Sequence, residues 1–407
     1  MRVSAILLPS LISTAAGAAL DPRQLLGALG GTAQAAFSKT ALEPQIDKTA
    51  KREKVLWGPF KLQKKSAKHA GAAMKLDPNS DVFQAMVDGV CQDCTVLSAQ
   101  AQLAQEDGKM ATIAEGVYGH HIIMTDIGRP MIRAPVYPIC NGTGPRTPGG
   151  GMTGMMTPSK PDSGSSESSS GHSHGGRSTV AQKYETEIKR RQMGDVSVFV
   201  GKGGEDSAEV FAASPGGPIK SGFYIGQQDK FAFTMEAVNY DDFEKDLYLS
   251  LDYEYLPGKA PGLLQVGKMT LDTEGCGSMA FHPPASGPIT YKSPDFMVGG
   301  HGYIINFSPH MHDGAISLRV QKNGQEVCVA NAIYGGDGTA ADIDGESWET
   351  ITSYTKCRDT IEVQRGDRLT MTAEYDLTKH RLRPDSQNHE MGAEAMALAN
   401  FMWAQPA

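Results

Sequence analysis

Apolar residues in this chain come in short runs separated by Gly, Pro, Asp and Asn, and few of the runs keep a helical period. They fall at residues 95–97, 110–117, 120–124, 196–200, 231–240 and 247–255, then, after Pro257, Gly258, Pro261 and Gly262, at 296–298, 302–307, 308–320, 327–330, 369–375 and 395–403. Short runs bounded by turn residues read as strands. Many such strands with few amphipathic helices predict an all-β chain of antiparallel β-sandwiches. A length of 407 residues accommodates two in tandem. The Pro/Gly stretch divides them into a first sandwich over 61–257 and a second over 258–407.

Three segments break the pattern. Residues 20–60 mix Ala, Gln and Lys without a sustained period and read as an N-terminal arm or pro-segment. Residues 144–178 are rich in Gly, Pro and Ser and bury too little apolar surface to offset ordering, which predicts a disordered insertion in the first sandwich. Residues 1–19 read as a signal peptide, with Arg2 at the start, an apolar stretch at 5–12 and small residues at 15–18. The expected product is secreted and extracellular. No later run approaches the roughly 18 apolar residues of a membrane-spanning helix.

Composition adds little. With 40% hydrophobic residues and a net charge of -8, no basic excess points to nucleic acid or a membrane surface. Oligomeric state is open. Six cysteines in an oxidising compartment suggest structural disulfides whose pairing the sequence leaves open. Cys91 and Cys94, without a second close pair, read as part of that framework rather than as a redox or zinc pair. Asn141-Gly142-Thr143 and Asn306-Phe307-Ser308 are acceptor sequences for N-glycosylation, the second disfavoured by Pro309.

Candidate chemistry centres on Ser308-Pro309-His310-Met311-His312-Asp313-Gly314. Side chains alternate along an extended segment, so His310 and His312 share a face and are able to hold one metal ion. A second pair, His120-His121, lies upstream, and His389-Glu390-Met391 lies near the C-terminus. Two imidazoles and the Met391 thioether make a soft-leaning set that suits copper better than calcium, magnesium or zinc. His172 and His174 form another His-x-His inside the insertion, with Met152, Met155 and Met156 nearby, but a linker positions ligands poorly.

In order and spacing the chain resembles the ascorbate-dependent two-copper monooxygenases typified by the peptidylglycine α-hydroxylating enzyme, and their secreted stress-up-regulated nodulin-type relatives. The resemblance rests on Gly119-His120-His121-Ile122-Ile123-Met124, on His310-Met311-His312-Asp313-Gly314 with Arg319-Val320-Gln321-Lys322-Asn323-Gly324, and on Arg365-Gly366-Asp367-Arg368-Leu369 and Glu390-Met391. It implies two jelly-roll-like sandwiches with one copper in each. His310, His312 and Met391 would hold the catalytic copper, which takes dioxygen to a substrate C–H bond. His120 and His121 would hold an electron-storing copper across a solvent-filled cleft, with ascorbate as reductant.

Two departures shape the expectation. Where the resemblance calls for a third histidine on the electron-storing copper, this chain has Asn239, a poor copper ligand, so the chain is expected to carry one or two coppers. Where the peptide-amidating enzymes grip a substrate carboxylate, this chain has Ser308, Ala393 and Ala395, none of which replaces a guanidinium. The substrate expected is an extracellular small molecule or peptide other than peptidylglycine. His389 stands as an additional ligand, a supporting contact or a surface residue. The alternative is a non-catalytic extracellular copper-binding or stress-response protein that has lost the electron-storing copper.

Overall fold

The structure is a computed structural model that describes residues 33–67, 80–130, 132–140, 196–383 and 395–405, apart from 204, 274, 276–279, 286, 337, 339 and 344. The signal segment, the insertion with His172 and His174, the acceptor Asn141, and His389 and Met391 lie outside the described residues. Within them the chain is all-β, with 24 strands and one 3₁₀ turn. The first part holds β1 (Ser38–Leu42), β2 (Lys51–Leu62), β3 (Ser80–Val87), β4 (Cys94–Ala104), β5 (Val117–Pro130), β6 (Val136–Pro138), β7 (Val196–Lys202), β8 (Glu209–Val210), β9 (Lys220–Ile225), β10 (Phe231–Asn239) and β11 (Lys245–Pro257). Then follow β12 (Leu263–Asp272), β13 (Ala280–Phe281), β14 (Pro288–Lys292), β15 (Phe296–Val298), β16 (Gly302–Met311), β17 (Ala315–Lys322) and β18 (Gln325–Tyr334). The last are β19 (Ala340–Ile343), β20 (Glu346–Glu349), β21 (Ile351–Tyr354), β22 (Cys357–Val363), β23 (Arg368–Asp376) and β24 (Ala395–Ala404).

A four-stranded sheet runs β3-β10-β5-β7, and a seven-stranded sheet runs β21-β18-β17-β23-β15-β6 with β14 on β23. An eleven-stranded sheet, β1-β2-β11-β4-β9-β12-β24-β16-β22 with β8 and β13 at its sides, runs through both parts of the chain. Its joint is the parallel pairing of β9 with β12, Leu263 opposite Lys220. One core gathers Trp57, Phe199, Phe223, Phe233, Met235 and Leu249, and a second gathers Val298, Phe307, Leu318, Tyr375 and Trp403. Each fully buried Phe or Leu there contributes on the order of 2–3 kcal/mol.

The described part of the arm expected over 20–60 contains sheet: β1 and most of β2 lie inside it. Charged residues open β2 and obscure its period. Arg52 meets Asp252 at 2.8 Å, however, while Val55 and Trp57 are fully buried and Trp57 Nε1 donates to the Asp88 carbonyl at 2.8 Å. Cross-strand pairing satisfies the charges that made the segment look unstructured. Cys91 is bonded to Cys94 and Cys328 to Cys357, Cys140 is also in a disulfide, and no described cysteine is free. The acceptor Asn306 is a buried residue of β16 at φ 61, where the ladders to β22 and β24 both shift register, so it is no surface loop for a glycan.

Candidate metal centre

The outer face of the four-stranded sheet carries the site. On β10, Phe233, Met235 and Ala237 point into the first core, and alternation turns Glu236 and Val238 the other way. Opposite them, β5 would place His120 with Ile122 and Met124 on the core face if it were regular. The ladder shows otherwise: Glu236 pairs with His121 and Ala237 with Gly119, leaving His120 as an extra residue. This β-bulge shifts the alternation, so Ile122 and Met124 stay in the core while both histidines turn to the outer face. There the two rings sit 4.1 Å apart between centroids.

From the second part, β16 brings His310, and His312 follows at its end. The segment is extended, and the rings stand 5.4 Å apart. The turn after them is clamped: Tyr354 Oη accepts the Met311 N–H at 2.9 Å, His312 N donates to the Met396 carbonyl at 3.0 Å, and Tyr334 Oη accepts the Gly314 N–H at 2.9 Å. Gly314 has φ +92 and a Cβ there would lie 2.4 Å from Leu377 Cδ2, so only glycine fits. Asp313 accepts from Trp348 Nε1 at 3.1 Å, Thr350 Oγ1 at 3.1 Å and Ile351 N at 2.8 Å. Burial pushes the Asp313 carboxyl up to about 6, against three donors that favour its anion. Trp348 packs edge-on against Tyr118 at 5.5 Å, two residues before His120, and so ties the two histidine segments together.

All four imidazoles meet in one place. His120 and His312 lie 5.4 Å apart between centroids, His121 and His310 5.5 Å, and His121 and His312 5.8 Å. The ligand atoms of His120, His121 and His312 fall within 4.8 Å of one another. Exposure is 2% for His120, 5% for His121, 6% for His310 and 8% for His312. The Nε2 atoms of His121 and His310 are buried without a hydrogen-bond partner, which is costly unless something else occupies the lone pair. A set of imidazole nitrogens converging in this way fits a copper ion. The two sites that the resemblance places apart are here a single cluster.

Two carboxylates flank it. Glu236 Oε2 lies 3.3 Å from His120 Nδ1 and 3.4 Å from His121 Nδ1, and Glu205 Oε1 lies 3.4 Å from His310 Nδ1. Burial would raise the Glu236 carboxyl, but its two imidazole partners outweigh that and hold it below the usual carboxylate range. Burial also opposes the anion of Glu205, yet the His310 interactions and the Lys202 charge bring it down to about 2. Burial, then the neighbouring His120 charge, lowers His121 to about 3, which leaves it a neutral imidazole at ordinary pH.

Asn239, expected near the third-ligand position, is otherwise engaged. Its amide nitrogen donates to the Gln63 and Phe243 carbonyls at 3.0 and 2.7 Å, and its oxygen accepts the Asp241 N–H at 3.0 Å. It locks the turn after β10 because every polar atom of the side chain is spent on backbone. Glu236, Glu205 and Asp313 escaped sequence reading. A carboxylate inside the mostly apolar run 231–238 was the available signal for Glu236. Glu205 follows β7 without a motif. Met391 and His389 lie outside the described residues; of the residues flanking their segment, Arg383 sets its guanidinium 5.2 Å from the Tyr118 ring and the Met396 carbonyl accepts from His312 N.

No family model matches the chain. The chain is similar to a protein named "probable copper-dependent oxygenase M1" from Phoma sp., 27% identical over 165 residues, covering 40% of this chain and 42% of the relative. It is also similar to one named "probable copper-dependent oxygenase clz3" from Cochliobolus lunatus, 26% identical over 170 residues, covering 41% of this chain and 52% of the relative. The matches thus span about half the length of these relatives, and they support a copper oxygenase-like family at a distance.

Proposed function

We propose that this chain is a secreted copper-dependent oxygenase that uses an external reductant such as ascorbate on an organic substrate other than peptidylglycine. The observation that carries the reading is the buried cluster of His120, His121, His310 and His312, supplied by both parts of the chain, with the Nε2 atoms of His121 and His310 buried without a hydrogen-bond partner. His120, His121 and His312 form the tightest set, His310 stands beside them, and Met391 joins as a soft ligand. Copper bound there would supply the one-electron and oxygen chemistry that side chains lack. The chain's own part is to fix the imidazoles, keep bulk water away through burial, and offer His121 as a neutral donor.

Exposure of 8% or less for every imidazole favours a second reading, a copper-binding protein that shields its metal and turns nothing over. One experiment separates the two. Copper per chain is measured after loading under ascorbate and dialysis, and oxygen uptake is followed on a broad substrate panel, for wild type, His312→Ala and Met391→Ala. Retained copper with uptake lost in His312→Ala supports the oxygenase. Retained copper without uptake supports the second reading, and a wild type that keeps no copper sinks both.

A further inference from the structure

The same arrangement appears twice in the cluster, once from each part of the chain. His121 sets Nδ1 3.4 Å from a Glu236 oxygen, and His310 sets Nδ1 3.4 Å from a Glu205 oxygen. In both, Nε2 is buried without a hydrogen-bond partner. The local structures are unrelated, a bulged strand against its ladder neighbour in one case and a strand end against a loop in the other. A shared local geometry therefore does not explain the repetition.

We infer that Glu236 and Glu205 are positioning residues: each accepts the Nδ1–H of its histidine, fixing that tautomer and turning a bare Nε2 towards the metal. The inference rests on the copper reading above and deepens it. An ionised carboxylate only accepts, so the ring nitrogen facing it carries the proton; in a neutral imidazole the other nitrogen is then left with a lone pair, the form a metal takes. Both carboxylates are themselves held. Ser80 Oγ donates to Glu236 Oε1 at 2.6 Å, leaving Oε2 for the imidazoles. Beside Glu205 the chain passes so close that a Cβ on Gly203 would lie 2.6 Å from His310 Cε1 and 2.8 Å from Glu205 Oε2. A side chain at position 203 would therefore displace the ring or its carboxylate, so the absence of one leaves the pair in contact. Exposures of 3% for Glu236 and 5% for Glu205 keep water from competing for the bond.

The test needs no metal for its first readout. Long-range proton–nitrogen spectra of the metal-free full chain, labelled at histidine and assigned with His121→Gln and His310→Gln, report which ring nitrogen is protonated. Nδ1–H in both residues is expected; Nε2–H in either overturns its assignment. In Glu236→Gln and Glu205→Gln the tautomers should mix, the Cu(II) spectrum should change, and copper affinity should fall about 10–100-fold, the range for such supporting partners. Gly203→Ala should reproduce the Glu205→Gln effect on His310 while leaving His121 untouched. Unchanged copper spectra and affinity in both Gln variants would overturn the inference. Should wild type bind no copper yet show both Nδ1–H tautomers, the copper reading fails while the orientation by carboxylate stands.

Discussion

His310 and His312 reach the pocket on an ordinary extended run, where alternation alone sets both rings on one side. His120 and His121, adjacent in sequence, would face opposite ways on a regular strand and converge only because β5 carries an extra residue opposite β10. The first pair is secured from behind, by Tyr354, Tyr334 and the Asp313 donors around its turn. The second is secured by register. A strand end held by side chains tolerates a ladder change but not a lost clamp, and a bulge does the reverse.

The sharpest way to break the comparison is His312→Ala, which removes the second part's contribution to the three-histidine set. Copper affinity should fall more than about 100-fold, beyond the range for supporting partners. Copper at about 100 times its dissociation constant should stabilise the wild type by about 2.7 kcal/mol, a rise in melting temperature that the variant should lack. Equal copper shifts in the two proteins would show that His120 and His121 bind copper without His312. Deleting His120 tests the register side. The ladder from Gly119 to His121 then becomes continuous, so the fold should survive with a melting temperature near wild type while copper retention is lost. If copper is retained, the bulge residue His120 is not needed to complete the site. Asp313→Asn probes the clamp and should have the smallest effect, about 1–3 kcal/mol of stability from mispaired buried donors, with a lesser loss of copper affinity. A variant as stable as wild type in chemical denaturation would remove Asp313 from the set of clamps.

Strand content was legible in the sequence because buried runs of Val, Ile and Phe between turn residues leave few other outcomes, and the His-x-His pair was legible because its spacing is its geometry. Convergence of the two pairs was not. It depends on one unpaired residue in β5, and a bulge has no composition of its own. Asn239 was drawn to the metal by position alone, when its amide was needed by three backbone groups of a turn. Glu236 stood three residues earlier and was passed over among apolar neighbours. The β2 strand was missed because its charged opening is paired across the sheet, a fact of tertiary structure that local pattern does not carry.

The strand β6 has a consequence for how the chain is stitched. Residues 136–138 leave the first part to extend the seven-stranded sheet by pairing with β15, and β7 returns to the four-stranded sheet next to β5. A backbone opened between β6 and β7, by an engineered protease site within residues 141–195, would therefore yield two polypeptides interleaved like the fingers of clasped hands. The amino-terminal piece would hold strands in all three large sheets and the carboxy-terminal piece would hold the rest. The nicked protein would still travel as one particle with its four clustered histidines in place, two on each piece.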